Sequence, residues 1–339
     1  MFKHVLPALA LCFLSLPAWS QTGIPSTPHA AAVEEAEPVP QTVLVTGSRP
    51  GPGLWKVSKG ENVMWVFGTY APLPPNMEWR SRNVEKVIAN SQEYLKPPAS
   101  SAGVGVMGGL GALPFLIGFK KNPDGAELKD VLLPDVYARW LPLKQQYFGN
   151  DDDIARERPI FVAEQLSQRA MKAAGLGGRS YDVRKTIEKL VDKHKIKTTS
   201  SLHRVDIKDP AKTLREFKKS PMDDAACLVQ TMARLDTNIE VMRARANAWA
   251  VGELDEIRKL DFSDRDACYD AVNASSLAKN QPELKDMKIM AEEKWIANAE
   301  KALATNTSTF AVVEIRDILD PKGIIATLQA KGYTVESPK

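Results

Sequence analysis

Acidic residues near the carboxyl end of the chain form the cluster best suited to chemistry. Glu314, Asp317 and Asp320 lie close together and follow Thr309–Glu314, a run of β-type residues. We therefore expect them where a strand ends and a loop begins, the usual position of sites in α/β proteins. Carboxylates gathered there could bind a hard cation or transfer protons. Alternatively, these charges leave the sheet into solvent, with Asp320 capping a helix that starts at Pro321.

Two other charged segments give weaker signals. Asp151–Asp153 lacks the alternating ligand spacing of a calcium loop and is typical of an exposed helix start. The segment from Arg184 to Lys219 contains 12 Lys or Arg residues and five Asp or Glu residues. This basic region could contact a membrane surface with anionic lipids, or an acidic partner protein. A solvated helical face is the alternative interpretation.

Histidine is scarce, which restricts the metal chemistry available to the chain. There are four histidines, and His4 and His29 precede the predicted fold. The remaining two, His194 and His203, cannot form a three-histidine zinc centre, and neither lies beside a nucleophile motif. No glycine-rich loop of P-loop or Rossmann spacing is present. We therefore predict no cofactor; a divalent metal enters only if the carboxylates act catalytically.

The overall charge argues against nucleic acid as a partner. The formal net charge is +3, which is too close to balance to indicate nucleic-acid binding. The predicted partner is instead an unidentified envelope protein or a small ligand.

The amino terminus predicts export. Lys3 precedes the apolar run Val5–Pro17, and Ala18-Trp19-Ser20 places small residues at both positions of a signal-peptidase site. The run is too short to span a bilayer, which needs roughly 20 apolar residues. We therefore expect residues 1–20 to be a signal peptide cleaved near Ser20, and the protein to be periplasmic or secreted from a bacterial cell.

Cleavage would leave two cysteines, Cys227 and Cys268. An exported chain meets an oxidising compartment, where such a pair favours one disulfide bond. Both cysteines lie in segments predicted to be helical, so the bond would join two neighbouring helices. The alternative is two buried free thiols.

The elements that must position these residues begin near Leu54. Residues 21–53 are rich in proline and predict an extended linker. Leu54–Val57 and Val63–Phe67, separated by a turn with Gly60, predict a hairpin. Predominantly helical patterns follow from Pro134, and the chain closes with a strand–helix–strand pattern for which we expect parallel pairing.

The fold class predicted is α/β, with α+β as the alternative. We expect one domain over residues 54–337, with a modest mixed sheet built from both chain ends and a large helical middle. Ala102–Phe119 carries no charge and contains six glycines. These glycines favour a buried or lid-like insert over a membrane span.

Four segments resemble the TraB/GumN family, which also includes the TIKI-type proteins. The segments are the hairpin Leu54–Val57 with Val66–Thr69, the helix start Arg158–Ala163 with Leu166, the Trp249 and Gly252-Glu253 element, and the closing Phe310–Val313, Gly323–Ile325 and Lys331–Val335. The resemblance covers roughly residues 54–335. It implies an α/β domain related to metal-dependent hydrolases.

The chain departs from the polar motifs of that family. The pattern places a histidine at Ala71 after an aliphatic residue at Tyr70, an acidic residue at Lys96, an Arg-Asn pair at Ala291 and Glu292, and a second Gly-x-x-His across Glu314 and Asp317. Metals of the family type need several ligands such as imidazole, and an ammonium group would repel them. The resemblance with these changes therefore predicts loss of the metal centre.

These observations lead to a main hypothesis and two alternatives. The main hypothesis is a non-catalytic binding or accessory protein of the bacterial envelope. Its cleft around Gly68, Tyr70, Lys96 and Asp317 would hold a ligand or stay packed by an ion pair between Lys96 and Asp317. The first alternative is a diverged metal-dependent hydrolase or protease that uses Glu314, Asp317 or Glu93 with a hard cation. The second is membrane association through Ala102–Phe119 and the basic region.

Overall fold

The computed structural model describes residues 51–338 except 76, 105, 178–179 and 260–266. The predicted signal peptide and most of the predicted linker lie outside the described residues. The described part of the chain contains eight strands and fourteen α-helices, which confirms the mixed α/β class.

The strands form a six-stranded sheet and a separate pair. The strands are β1 Leu54–Lys59, β2 Asn62–Thr69, β3 Glu93–Leu95, β4 Ala99–Gly103, β5 Lys197–Thr199, β6 Leu202–Asp206, β7 Ser308–Glu314 and β8 Thr334–Glu336. The large sheet has the order β5-β3-β7-β2-β1-β8, and β4 pairs with β6. The predicted hairpin is confirmed, since β1 and β2 pair antiparallel.

The centre of the large sheet is parallel. Strand β7 lies between β2 and β3 and runs parallel to both. Its residues Phe310, Val312 and Val313 are fully buried, as expected for a strand covered on both faces. The sheet is thus built mainly from the two ends of the folded chain, as predicted, with β5 contributed by the middle.

The pairing predicted for the last strand is wrong. Strand β8 pairs antiparallel with β1, with Val57 opposite Val335. Both edges of β7 are already occupied by β2 and β3. The strand that follows β7 must therefore cross the hairpin and bind the free edge of β1.

The helices fill the middle of the chain and cover the sheet. They are α1 Arg82–Ala89, α2 Val106–Leu116, α3 Leu128–Val131, α4 Pro134–Tyr147, α5 Pro159–Ala173, α6 Ser180–Lys193, α7 Pro210–Lys219, α8 Ala225–Val251, α9 Asp255–Arg258, α10 Ala267–Ala274, α11 Ser276–Asn280, α12 Met287–Thr305, α13 Ile315–Leu319 and α14 Ile324–Ala330. Three short 3₁₀ turns connect some of them.

Two hydrophobic cores hold these layers together. The first surrounds the large sheet and includes Phe67, Tyr94, Trp249, Trp295 and Phe310. The second lies among α4, α5 and α8. Helix α8 contributes to both cores, so this 27-residue helix links the sheet to the helical layer.

A buried arginine fixes the start of α5. The guanidinium group of Arg158 donates hydrogen bonds to four backbone carbonyls, those of Lys121, Phe217, Lys218 and Ser220. It also lies 4.5 Å from the ring centroid of Phe217. Because a buried cation must be solvated by the protein, these carbonyls replace water and join α5 to the end of α7.

The cysteine sulfur atoms of Cys227 and Cys268 lie 1.99 Å apart, which is disulfide distance. Cys227 lies in α8 and Cys268 lies in α10, so the pair joins two neighbouring helices, in the arrangement expected from the sequence.

The uncharged segment Ala102–Phe119 was expected to be buried or lid-like, and its described part is not buried throughout. It is divided between the end of β4 and helix α2, and Leu110, Leu113 and Ile117 are exposed. Among the described residues, no helix combines the length and the apolar character needed to cross a bilayer.

In addition to its packing in the core, helix α8 is joined to the sheet by a hydrogen bond from an indole group. Trp249 Nε1 donates to the carbonyl of Gly68 at 2.7 Å in a fully buried position. Gly68 itself has little room for a side chain, because a Cβ there would lie 3.0–3.1 Å from side-chain atoms of Ile318, Ile315 and Trp55.

Trp249→Phe should therefore destabilise the fold more than Trp295→Phe. Both indoles are almost completely buried, but Trp295 Nε1 has no hydrogen-bond partner in the described part of the chain. The two variants lose similar ring volume, and only Trp249→Phe leaves a buried carbonyl without its donor. We expect an additional loss of about 1–2 kcal/mol in the free energy of unfolding, measured by urea denaturation. Equal losses would contradict this role for the hydrogen bond.

Candidate functional site

The carboxyl ends of β2, β3 and β7 meet at one edge of the sheet because these strands are parallel. Tyr70 and Ala71 follow β2, Lys96 follows β3, and Asp317 lies in α13 directly after β7. This edge therefore collects four of the positions to which the resemblance assigned motif residues of the family.

Tyr70 contributes to the core rather than to an open cleft. Its side chain is buried and packs in the core around the large sheet. Burial raises the pKa of its phenol, and the nearby charge of Arg245 lowers it by less. The phenol therefore stays protonated at neutral pH.

Lys96 does not pair with Asp317, so the predicted ion pair is wrong. Lys96 Nζ instead binds Glu188 Oε1 at 2.9 Å. Glu188 lies in α6, which packs beside the sheet, and this helix supplies the acid that neutralises Lys96. Both side chains are partly exposed, so the pair contributes modestly to stability.

Glu93 lies at the opposite end of its strand from this edge. It is buried and accepts hydrogen bonds from Thr199 Oγ1 and from Asn306 Nδ2, and it pairs with Lys197. Burial acts to raise its pKa, but these hydrogen bonds outweigh burial and lower it. Glu93 is thus a structural carboxylate and does not join the residues after β7.

Asp317 lies in a cleft rich in charge, which we call the acidic cleft. The cleft has a volume of about 440 Å³ and is lined by four carboxylates and three cations, namely Glu292, Glu314, Asp317, Asp320, Arg234, Lys288 and Arg316. The prediction that residues after β7 lie together is therefore confirmed for Glu314, Asp317 and Asp320.

The environment of Asp317 favours its protonated form. Burial, the largest cause, and the neighbouring charge of Glu314 together raise the pKa of Asp317 to about 6, while Lys288 opposes the shift. A carboxyl group with a pKa near neutral can accept or donate a proton under physiological conditions.

A larger cavity lies beside Ala71. We call it the cationic cavity; its volume is about 1070 Å³. The described residues that line it include three cations, Lys172, Arg184 and Arg234, and no acidic residue. Apolar walls come from α5, α8 and the loops after β2 and α5, through residues that include Pro72, Met171, Leu176, Leu235 and Met242.

Arg184 is the cation of this cavity with the clearest unmet hydrogen-bonding capacity. Its Nε is buried and has no hydrogen-bond partner among the described residues. The hydroxyl of Tyr94 is also buried and has no hydrogen-bond partner among the described residues. Burial raises the pKa of Tyr94, and the nearby charge of Arg184 opposes this rise. Buried donors without partners are costly and are usually satisfied by water or a ligand.

The residues at this edge do not fit the metal centre implied by the family resemblance. Within the described chain, no group of three or more His, Cys, Asp or Glu side chains is arranged to hold a metal ion. Ala71 offers no donor atom, and Arg184 and Arg234 bring positive charge to the same cavity. Guanidinium groups repel a divalent cation and attract anions.

The remaining sequence candidates lie in surface contacts. His194 approaches Glu85 at 3.3 Å, Asp151 pairs with Arg169, and Asp152 pairs with Lys144. The cationic cavity itself was missed from the sequence. Arg184 belongs to the predicted basic region, but the sequence pattern of that region is also typical of a solvated helical face and did not indicate a cavity.

The fold and this edge define a mixed α/β domain whose site lies where the parallel strands end. A family model, the TraB/PrgY/gumN family, matches residues 53–337. The chain belongs to this family. No curated protein and no solved structure was found to match it.

Asp317→Asn should change how stability depends on pH. The folded-state pKa of Asp317, about 6, exceeds the ordinary value, so the folded protein binds the Asp317 proton more tightly than the unfolded chain does. The contribution of Asp317 to wild-type stability therefore falls as pH rises from about 4 to about 7. Asn removes this penalty. We expect the variant to be more stable than wild type by about 1–2 kcal/mol at pH 7 and nearly equal at pH 4.

The measurement is chemical denaturation of both proteins across this pH range. Glu61→Gln, in the exposed turn between β1 and β2, serves as the matched control and should show no such difference. A stability difference for Asp317→Asn that is the same at pH 4 and pH 7 would contradict the raised pKa.

Proposed function

We propose that the chain is a non-catalytic binding protein of the bacterial envelope that takes an anionic, partly apolar small ligand. The cationic cavity carries this proposal. Three cations line it beside Ala71, where the family pattern has a histidine, and the described lining includes no carboxylate. A cavity that is lined by arginines and has alanine in place of a metal ligand is suited to bind a negatively charged group.

The shape and walls of the cavity narrow the ligand class. Its volume of about 1070 Å³ is at the upper end of small-molecule pockets. Methionine and leucine side chains form much of the wall, and methionine adapts to different apolar shapes. A carboxylate or phosphate attached to an alkyl or aromatic body matches both the cations and these walls.

The envelope location is supported by the amino-terminal pattern and the cysteines. Residues 1–20 have the order of a secretory signal. The Cys227 and Cys268 sulfurs lie at disulfide distance, and such bonds persist in oxidising compartments. The partner would then be a ligand or envelope protein on the outer side of the cytoplasmic membrane.

The test measures binding of octyl phosphate and octanoate by isothermal titration calorimetry, with octyl glucoside as the neutral comparison. We expect the two anions to bind and Arg184→Gln to weaken their binding about tenfold or more, since a charge-assisted hydrogen bond is worth about 1.5–3 kcal/mol. Lys189→Gln removes the same charge from an exposed position of α6 and should leave affinity within about twofold.

Two results would contradict the proposal. One is equal binding of octyl glucoside and the anions, or no binding of any of them. The other is retention of close to one equivalent of zinc, cobalt or manganese after dialysis, measured by mass spectrometry, because a resident metal would restore the family mechanism.

A diverged hydrolase is the second candidate, and the acidic cleft favours it. Asp317 has a pKa of about 6 and lies beside Glu314, Glu292 and Asp320. One protonated and one ionised carboxyl group are the minimum for general acid–base catalysis. The described acidic residues are not arranged to hold a metal ion, so this candidate rests on proton transfer by the carboxyl groups.

A hydrolase screen with ester, phosphoester and peptide substrates separates the two candidates. Under this second candidate, activity should fall at least a hundredfold in Asp317→Asn. Activity that persists in Asp317→Asn would contradict a catalytic role for the acidic cleft.

A further inference from the structure

Helix α2 presents an exposed apolar surface that the fold leaves uncovered. Leu110 and Leu113 lie in α2 and Ile117 directly follows its last residue, with 58%, 53% and 78% of their surface exposed. Leu116 and Val104 are exposed beside them. We call these five residues the α2 surface.

An apolar groove continues the α2 surface toward α7. It has a volume of about 510 Å³, and its walls include Leu110 and Leu113 from α2, Ile207 before α7, and Leu214 within α7. Single exposed leucines are ordinary on protein surfaces, but a contiguous patch of this kind marks an interaction site.

Cations border the α2 surface. Helix α7 packs against α2 and carries Lys212, Arg215, Lys218 and Lys219 with a single acid, Glu216. The guanidinium group of Arg215 lies 4.7 Å from the ring centroid of Phe115. Lys218 Nζ donates a 2.8 Å hydrogen bond to the carbonyl of Ile117.

The carboxyl end of α2 adds further positive charge. Lys120 and Lys121 follow the last exposed aliphatic residue within a few positions. Glu216, the acid of α7, is engaged by the side chain of Asn280 and lies 4.0 Å from Lys212. Asp206 beside Gly103 and Asp209 at the start of α7 are acidic, but the cations named here outnumber the acids, so the border carries a net positive charge.

We propose that the α2 surface docks on a membrane that contains anionic lipids, with the leucines entering the interface and the lysines and arginines of α7 contacting the head groups. Exposed apolar side chains that enter the interface, together with basic residues that contact anionic head groups, bind a protein to a bilayer without crossing it. Helix α2 has 11 residues, about half the length of a spanning helix.

The charge pattern argues against a second copy of the chain as the occupant. A two-fold interface places the same patch on both sides. The α7 cations of one copy would then face those of the other, and like charges brought together across an interface are unfavourable. An anionic bilayer complements both the apolar residues and the cations.

The membrane surface is independent of the proposed binding function. None of the residues that line the groove of α2 lines the cationic cavity. Of the predicted basic region, only the part in and around α7 borders the α2 surface, whereas Arg184 in α6 lines the cavity.

The test is co-sedimentation of the chain from Gln21 onward with vesicles. This truncation removes only the predicted signal peptide and leaves intact the compact unit Ser48–Lys339. Vesicles of phosphatidylcholine with one quarter phosphatidylglycerol should bind the protein, and pure phosphatidylcholine should bind it at least tenfold more weakly. Binding should decrease as salt rises, because salt screens the head-group attraction.

Two double variants separate the apolar and the charged contributions. Leu113→Asp/Ile117→Asp should lower binding to the anionic vesicles at least tenfold. Lys212→Glu/Lys219→Glu should lower it by a similar factor and abolish its salt dependence. Val241→Asp, at an exposed aliphatic position of α8, is the matched control and should bind within twofold of wild type.

Circular dichroism and thermal melts must show that all variants are folded; since the substituted side chains are exposed, we expect native spectra. The proposal fails if the wild-type chain stays in the supernatant with anionic vesicles, or if the α2 double variant binds as well as wild type. It also fails if that variant changes only the oligomeric state, measured by light scattering, because the α2 surface would then be a protein interface.

Discussion

The parallel pairing of β2 with β7 is the interaction on which the rest of the structure depends. Backbone hydrogen bonds join residues 63–69 to residues 308–314 in continuous register, across more than two hundred residues of intervening chain. This pairing joins the two ends of the folded chain in one sheet, places α13 directly beside the end of β2, and creates the edge at which the candidate site lies. It also brings α13 close to Gly68, where a Cβ would lie 3.0–3.1 Å from side-chain atoms of Ile318 and Ile315.

At the positions that the resemblance assigns to the polar motifs of the family, this chain carries side chains of different charge. Lys96 stands where the pattern has an acid, and Glu188 from α6 pairs with it. Ala71 stands where the pattern has a histidine, and Arg184 and Arg234 line the same cavity. The acids Glu314 and Asp317 stand in the second histidine motif and are collected in a separate cleft. Arg234 lines both the cationic cavity and the acidic cleft, so the two sites adjoin at its side chain.

Much of the secondary structure follows from local pattern. The β1–β2 hairpin lies where it was predicted, and α4 begins at Pro134, where the helical patterns were predicted to start, because turn residues and prolines at helix starts act over short distances. Gly332, which follows α14, has a φ of +88° in the left-handed region. Long-range pairing was less predictable: β8 binds β1 because β7 has no free edge, a fact that no local pattern contains.

The sequence by itself determined the fold class, the family and the absence of the expected histidines, because these depend on residue identity and short-range order. It also identified Glu314 and Asp317 as residues at a strand end. Only the tertiary structure decided that Lys96 binds Glu188 rather than Asp317, that Arg184 lines a cavity, and that the uncharged helix α2 is exposed. Each of these depends on which distant segment packs beside a side chain, and neither burial nor the sign of a neighbouring charge is encoded in the spacing of residues along the chain.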